Sequence, residues 1–131
     1  MTLTETQQHR PRRWRRKPPR DDNIACICWL METAVAAAFA VAVEDLRAPS
    51  RRCAEVAFAR QAAMYLAHVA LGLSLSTVGR LFRRDRTTAA HACMTVEQRR
   101  DDPTIDRLLA MLESLCDDIA AGIRNPPQVR P

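Results

Sequence analysis

The 131-residue sequence has little of what β-architectures and nucleotide-hydrolysing sites are built from. Three glycines and 5% aromatic residues supply too few turn formers and too little cross-strand packing surface for a sandwich or barrel. No GxxxxGKS or GxxxxGKT loop occurs, and the length leaves no room for an ATPase domain beside a helical one, so nucleotide binding is not expected. The five cysteines, at 26, 28, 53, 93 and 116, are odd in number, form no CxxC pair and have no nearby histidine doublet. That excludes a disulfide framework and a zinc site; Cys26 and Cys28 would point about 200° apart on a helix, and all five read as buried thiols of a reducing cytosol. The carboxylate pairs Asp21-Asp22, Asp101-Asp102 and Asp117-Asp118 diverge on a helix, and no serine or cysteine has an inferable base partner. No catalytic residue, metal ligand or cofactor is therefore assigned, and the chain does not read as an enzyme.

What is abundant is alanine, leucine and arginine. A 47% apolar fraction with so little glycine points to a compact all-α domain. Nineteen of the 20 basic residues are arginine, which suits bidentate phosphate and guanine contacts and equally fits a biased genomic base composition. Residues 1–20 carry seven basic side chains against Glu5 alone, a net +6 of the formal +5, so the rest of the chain sums to −1. A segment of this sign is drawn to polyanions by counterion release. Ala25 to Val43 is apolar apart from Glu32 and Thr33 and follows the basic stretch, but Glu32 near its middle and the weak hydrophobicity of alanine argue against export or membrane insertion.

Residues 1–22, with Pro11, Pro18 and Pro19 among the arginines and no apolar period, are expected to form a disordered arm in which Trp14 could stack on a base or lie in solvent. Residues 23–123 read as the folded domain and 124–131 as a tail. A first helix is expected from Asn23 to near Val43, with Ile27, Leu30, Met31, Ala34, Ala38 and Val41 inward. One turn over Glu44–Arg47 follows, then a break at Ala48-Pro49-Ser50 and a basic joint, Arg51-Arg52. A second helix is expected over Cys53–Leu71 with Val56, Ala59, Ala63, Leu66 and Ala70 on one face, ended by Gly72. Ser74 can cap a short helix to Phe82, in which Gly79 admits a close neighbour. Asp85 can accept from Thr87 or Thr88 and open another helix with Ala89, Cys93 and Val96 inward and Arg86, Thr88, His91 and Thr95 outside. Asp102-Pro103 starts the last helix, with Ile105, Leu108, Leu109, Leu112, Leu115 and Ile119 as its stripe and Gly122 at its end.

The two short helices flanking Arg83-Arg84-Asp85 have the layout of a helix-turn-helix at about 74–98. Arg83, Arg84, Asp85, Arg86, Thr87 and Thr88 would gather guanidinium groups, hydroxyls and methyls where base edges could be read, and Asp85 could accept from cytosine N4. A helical hairpin with a solvated basic corner has the same pattern.

Two runs, Ala59-Arg60-Gln61-Ala62-Ala63-Met64-Tyr65-Leu66-Ala67 and Gly72-Leu73-Ser74-Leu75-Ser76-Thr77-Val78-Gly79-Arg80-Leu81-Phe82-Arg83-Arg84-Asp85-Arg86-Thr87-Thr88-Ala89-Ala90-His91-Ala92-Cys93, closely resemble the C-terminal DNA-binding domain, domain IV, of the bacterial chromosomal replication initiator DnaA. The resemblance extends from Val35 to about Glu113. It implies a Trp-repressor-like helix-turn-helix fold and double-stranded DNA as partner. It also implies base readers at Asp85, Arg86, Thr87 and Thr88, and a minor-groove probe at Arg52 or Arg51. Leu75 and Ser76 would lie against the DNA backbone, His68 falls where the family often has a phosphate-contacting base, and His91 would pack or meet a phosphate. Two departures stand out: Arg86 replaces the family's histidine, which could alter the preferred sequence, and Arg83 replaces a glycine, which would forbid an easy positive φ.

The expected function is sequence-specific DNA binding at replication-origin or DnaA-box-like sites in the cytoplasmic nucleoid, regulating replication or transcription without ATPase activity. Other replication or transcription proteins are candidate partners. Two alternatives stand beside it: a non-specific nucleoid-associated or RNA-binding protein dominated by the arm, and a protein-interaction module using the 25–43 helix with Trp29 and Phe39.

Overall fold

The computed structural model describes residues 21–49 and 54–124. Residues 1–20, Ser50, Arg51, Arg52, Cys53 and residues 125–131 lie outside the described residues, and Asp21 and Asp22, expected in the arm, instead begin the first helix. Among the described residues five α-helices and one 3₁₀ helix follow in order: α1 (Asp21–Phe39), the 3₁₀ helix (Val43–Arg47), α2 (Ala54–Val69), α3 (Leu75–Leu81), α4 (Arg86–Arg99) and α5 (Pro103–Arg124). No strand occurs among the described residues, and the fold class is all-α as the composition requires.

Helix α2 is the centre. The expected face of Val56, Ala59, Ala63, Leu66 and Ala70 is buried, but so are Arg60, Ala62, Met64, Tyr65, Ala67 and Val69. This helix is enclosed because α1, α3, α4, α5 and the 3₁₀ helix all pack on it. Its alanines let those neighbours come close, and the larger Tyr65, Leu66 and Met64 fill the gaps between them.

Helix α1 departs from expectation at its end and in its face. It stops at Phe39, four residues short of Val43, because Ala40 turns left-handed with φ 57°. The Ala40 amide donates to Ala37 O (3.3 Å) and the Val41 amide to Ala36 O (2.9 Å), the two bonds of a Schellman ending. No glycine announces it. The buried stripe is Ile27, Cys28, Met31, Glu32, Val35 and Ala36, while Leu30 and Ala34 are half-buried and Ala38 is exposed. The stripe is turned because Glu32 faces inward to a forked ion pair with Arg47, Nε to Oε1 at 2.8 Å and Nη2 to Oε2 at 2.5 Å. Cys26 is exposed, against the expectation of burial. Phe39, offered above as a docking residue, is instead packed edge-on against Phe58.

In α4, Ala89, Ala92 and Val96 are buried, whereas Cys93 and Thr95 are half-buried. In α5, Leu109, Leu112 and Cys116 form the buried line, with Ile105, Leu108 and Ile119 packed at its margin. Leu115 is 39% exposed, because the stripe is centred on Leu112 and Cys116 and Leu115 falls about a quarter of a turn off it. Gly122 does not end the helix: glycine costs a helix only about 1 kcal/mol, and Ile119, Ala120 and Ile123 pack against the core on either side of it.

A buried polar cluster, which sequence inspection did not find, locks α5 to the rest. Arg100, the C-cap of α4, is 8% exposed and donates to Asp106 Oδ1 (2.6 Å), Glu113 Oε2 (2.9 Å) and the Tyr65 hydroxyl (3.0 Å); that hydroxyl donates to Glu97 (2.8 Å). Burial works against the cation, but the bonds to Glu113 and Asp106 outweigh it and hold the Arg100 pKa above its ordinary value.

A left-handed alanine costs about 1 to 2 kcal/mol that glycine avoids, partly offset by glycine's greater freedom in the unfolded chain. Ala40→Gly is therefore expected to raise stability by about 0.5 to 1 kcal/mol, read as a higher urea midpoint at unchanged slope. A lower midpoint would show that the left-handed ending carries no strain.

Candidate nucleic-acid interface

Three local devices build the corner joining α3 to α4. Ser74 caps α3: its Oγ accepts from the Thr77 amide (3.1 Å) and its hydroxyl donates to Thr77 Oγ1 (2.9 Å). Helix α3 then closes in a second Schellman ending, with the Arg83 amide donating to Arg80 O (3.2 Å) and the Arg84 amide to Gly79 O (2.8 Å). This ending needs a left-handed residue after the C-cap, and Arg83 takes φ 57°. Arginine takes this positive φ without the ease a glycine would have: the hydrogen bonds and packing of the turn impose it.

Gly79 makes the corner possible. A Cβ at that position would lie 2.6 Å from Arg84 O and 3.1 Å from the Asp85 carbonyl carbon, so the turn backbone rests on the glycine. Asp85 next caps α4, its Oδ1 accepting from the Thr88 amide at 2.7 Å. That amide and the Thr88 hydroxyl stabilise the ionised carboxyl and hold its pKa below the usual carboxylate value.

The corner faces solvent. Arg83, Asp85, Arg86, Thr87, Thr88 and His91 are all exposed, as is Ser76 at the start of α3. Arg80 is exposed beside them, with Nη2 on Thr77 Oγ1 (3.2 Å). Guanidinium groups, hydroxyls and the positive pole of α4 thus share one surface. Thr88 and His91 also line a groove between α2 and α4 with Ala57, Gln61 and Arg84.

Three of the expected contact residues are engaged within the protein. Leu75 is half-buried against the core. The imidazole of His68, in the last turn of α2, is half-buried with Nδ1 2.7 Å from Leu73 O, so it fastens the α2–α3 connection. Arg84 is half-buried and donates to two main-chain carbonyls, Phe82 O (2.7 Å) and Ala48 O (3.1 Å). Arg51 and Arg52 fall outside the described residues, but the chain on both sides of them is placed. Ala48, before the joint, touches Arg84, and Ala57, in α2 after it, borders the same groove as Thr88.

Two outcomes check this geometry. Gly79→Ala should destabilise the domain by about 2 kcal/mol despite alanine's better helix propensity, because the new methyl meets backbone; thermal melting reads it, and a neutral result would mean the corner relaxes freely. Because the folded pKa of Asp85 is depressed, its cap contributes above the unfolded value and is lost as pH falls through the folded one. A carboxyl-detected NMR titration should place Asp85 below free aspartate, with the Thr88 amide shifting in step; titration at or above the free value would contradict the cap.

Residues 30–96, from α1 through α4, match the profile of a family described as bacterial dnaA protein helix-turn-helix. Chromosomal replication initiator protein DnaA 1 of Protochlamydia amoebophila is 40% identical over 79 residues, covering 60% of this chain and 17% of its own length. The DnaA 2 protein of Chlamydia trachomatis is 40% identical over 82 residues, 63% of this chain and 17% of itself. The DnaA of Thermomicrobium roseum is 41% identical over 95 residues, 70% of this chain and 20% of itself. The chain therefore spans a fifth or less of the length of these relatives.

Proposed function

The chain belongs to the bacterial dnaA protein helix-turn-helix family, and on that premise we propose that it binds double-stranded DNA sequence-specifically through α3 and α4, at DnaA-box-like sites in the nucleoid. Its action is regulatory, on replication initiation or on transcription, and involves no ATP hydrolysis by this chain. The observation that carries the reading is the exposed first turn of α4, where Arg86, Thr87 and Thr88 stand clear of the core while the cap of Asp85 fixes the backbone beneath them.

In this reading α4 enters the major groove N-terminus first. Arg86 offers two parallel donors to guanine O6 and N7, Thr87 and Thr88 offer hydroxyls and methyls, and Asp85 uses its second oxygen to accept from cytosine N4. Arg83, Ser76 and His91 meet the backbone around them. Arg52, with Arg51 as its neighbour, reaches the adjacent minor groove: Ala48 is held against the corner, and a stretch of four residues can span at most about 14 Å. The basic residues 1–20 add affinity without sequence preference.

Selection of bound duplexes from random DNA tests this directly, and the absence of any enriched motif would defeat it. Arg52→Ala should weaken the enriched site by about 1 to 3 kcal/mol while scarcely changing a scrambled duplex. Arg86→His should move the enriched motif at the position that Arg86 reads; an unchanged motif would remove residue 86 from base reading.

A further inference from the structure

Arg84 stands in the sequence among the residues expected to touch DNA, yet its side chain is committed elsewhere. Nη1 donates to the carbonyl of Phe82, the C-cap of α3, and Nη2 to the carbonyl of Ala48, the C-cap of the 3₁₀ helix, 36 residues earlier in the chain. The C-terminal carbonyls of a helix lack intrahelical donors and form its negative pole, so each needs a partner. Beyond the Ala48 amide on Asp45 O, the end of the 3₁₀ helix takes partners from two distant arginines: Arg60 of α2 gives Nε to Leu46 O and Nη2 to Asp45 O, both at 2.9 Å, and Arg84 of the turn closes the set at Ala48. Phe82, whose carbonyl shares Arg84, is fully buried, with the Arg47 guanidinium 5.6 Å from its ring centroid.

We propose that Arg84 is a positioning residue for DNA recognition: its planar fork clamps the helix-turn-helix corner to the end of the 3₁₀ helix. The clamp fixes where the chain departs at Ala48-Pro49 relative to the first turn of α4. The inference rests on the DNA-binding reading above and assigns Arg84 a role inside the protein in place of a phosphate contact. Two of its donors serve carbonyls on separate elements, a geometry that a planar guanidinium can hold and a lysine ammonium, with the same charge on one compact head, cannot.

Arg84→Lys separates the two roles because it keeps the charge and removes the fork. Binding of the lysine variant, an Arg84→Ala variant and the unmodified chain is measured on the enriched duplex and on a scrambled one, across a salt series well below each melting temperature. The lysine variant should lose about tenfold in discrimination, comparable to one mismatched base pair, with affinity for the scrambled duplex unchanged. The alanine variant should keep the salt slope of the unmodified chain. Discrimination by the lysine variant within twofold of the unmodified chain, or a fall of about one in the alanine variant's salt slope, would overturn the clamp and restore a phosphate contact. Hydrogen exchange without DNA supplies an independent arm: the Ala48 amide, which donates to Asp45 O, should exchange faster in the lysine variant while α4 amides stay protected, and unchanged exchange would also overturn it. If the unmodified chain itself fails to discriminate between the duplexes, the DNA-binding reading fails, and the exchange arm still decides the clamp.

Discussion

The domain depends on how the 3₁₀ helix at Val43–Arg47 is satisfied. Five residues cannot bury enough apolar surface to hold their own place, and only Leu46 among them is fully buried. Their position comes from arginine: Arg60 and Arg84 bind the carbonyls at the C-terminal end, and Arg47 reaches back to buried Glu32 of α1. Carbonyls that would otherwise face a helix end without donors become the point where α1, α2 and the helix-turn-helix corner meet. Removing one arginine would leave a polar group without its partner, which costs more than the hydrogen bond itself gains.

Much of this was legible in the sequence, and the failures share a cause. The caps at Ser74 and Asp85, the stop at Gly72 and the close approach at Gly79 were readable because each is a local event with a residue type suited to it. The end of α1 was not, since Ala40 takes a left-handed turn that glycine would ordinarily mark. The buried charges were missed for the complementary reason. Nothing in a linear pattern brings Arg47, the Leu46 carbonyl or Glu113 beside Glu32, Arg60 and Arg100, so their burial was not foreseen. The polar corner at 83–88 was readable as a group, but the division within it was not. Arg83, Arg84 and Arg86 are one residue type within four positions, and only the fold shows that the middle one is bonded to the backbone while its neighbours are exposed.

The left-handed Arg83 links that division to the corner's geometry. Its conformation costs about 1 to 2 kcal/mol for a residue with a Cβ, and such strain persists only where surroundings dictate it. Here the two Schellman bonds, the backbone contact over Gly79 and the anchored guanidinium of Arg84 dictate it together. The same turn directs the Arg83 side chain to solvent beside α4, so the strained conformation adds a cation to the exposed surface.

Helix α4 needs such support because its sequence does not make a strong helix unaided. Its first turn holds an exposed arginine and two exposed β-branched threonines, a combination that would fray if left to intrinsic propensity. Stability must come from outside that turn, and it comes from both ends. At the N-terminus the Asp85 carboxylate takes up the Thr88 amide, and at the C-terminus Arg100 fastens the helix to Asp106 and Glu113 of α5 and to Tyr65 of α2. Between them Ala89, Ala92 and Val96 are buried where α4 packs on α2 and α3, while Arg86, Thr87, Thr88, His91 and Met94 stay exposed. On the proposed reading, α4 has to expose polar side chains without becoming mobile. Anchoring it at its two ends leaves the side chains of Arg86 and Thr87 exposed while the bonds that hold the helix are made elsewhere.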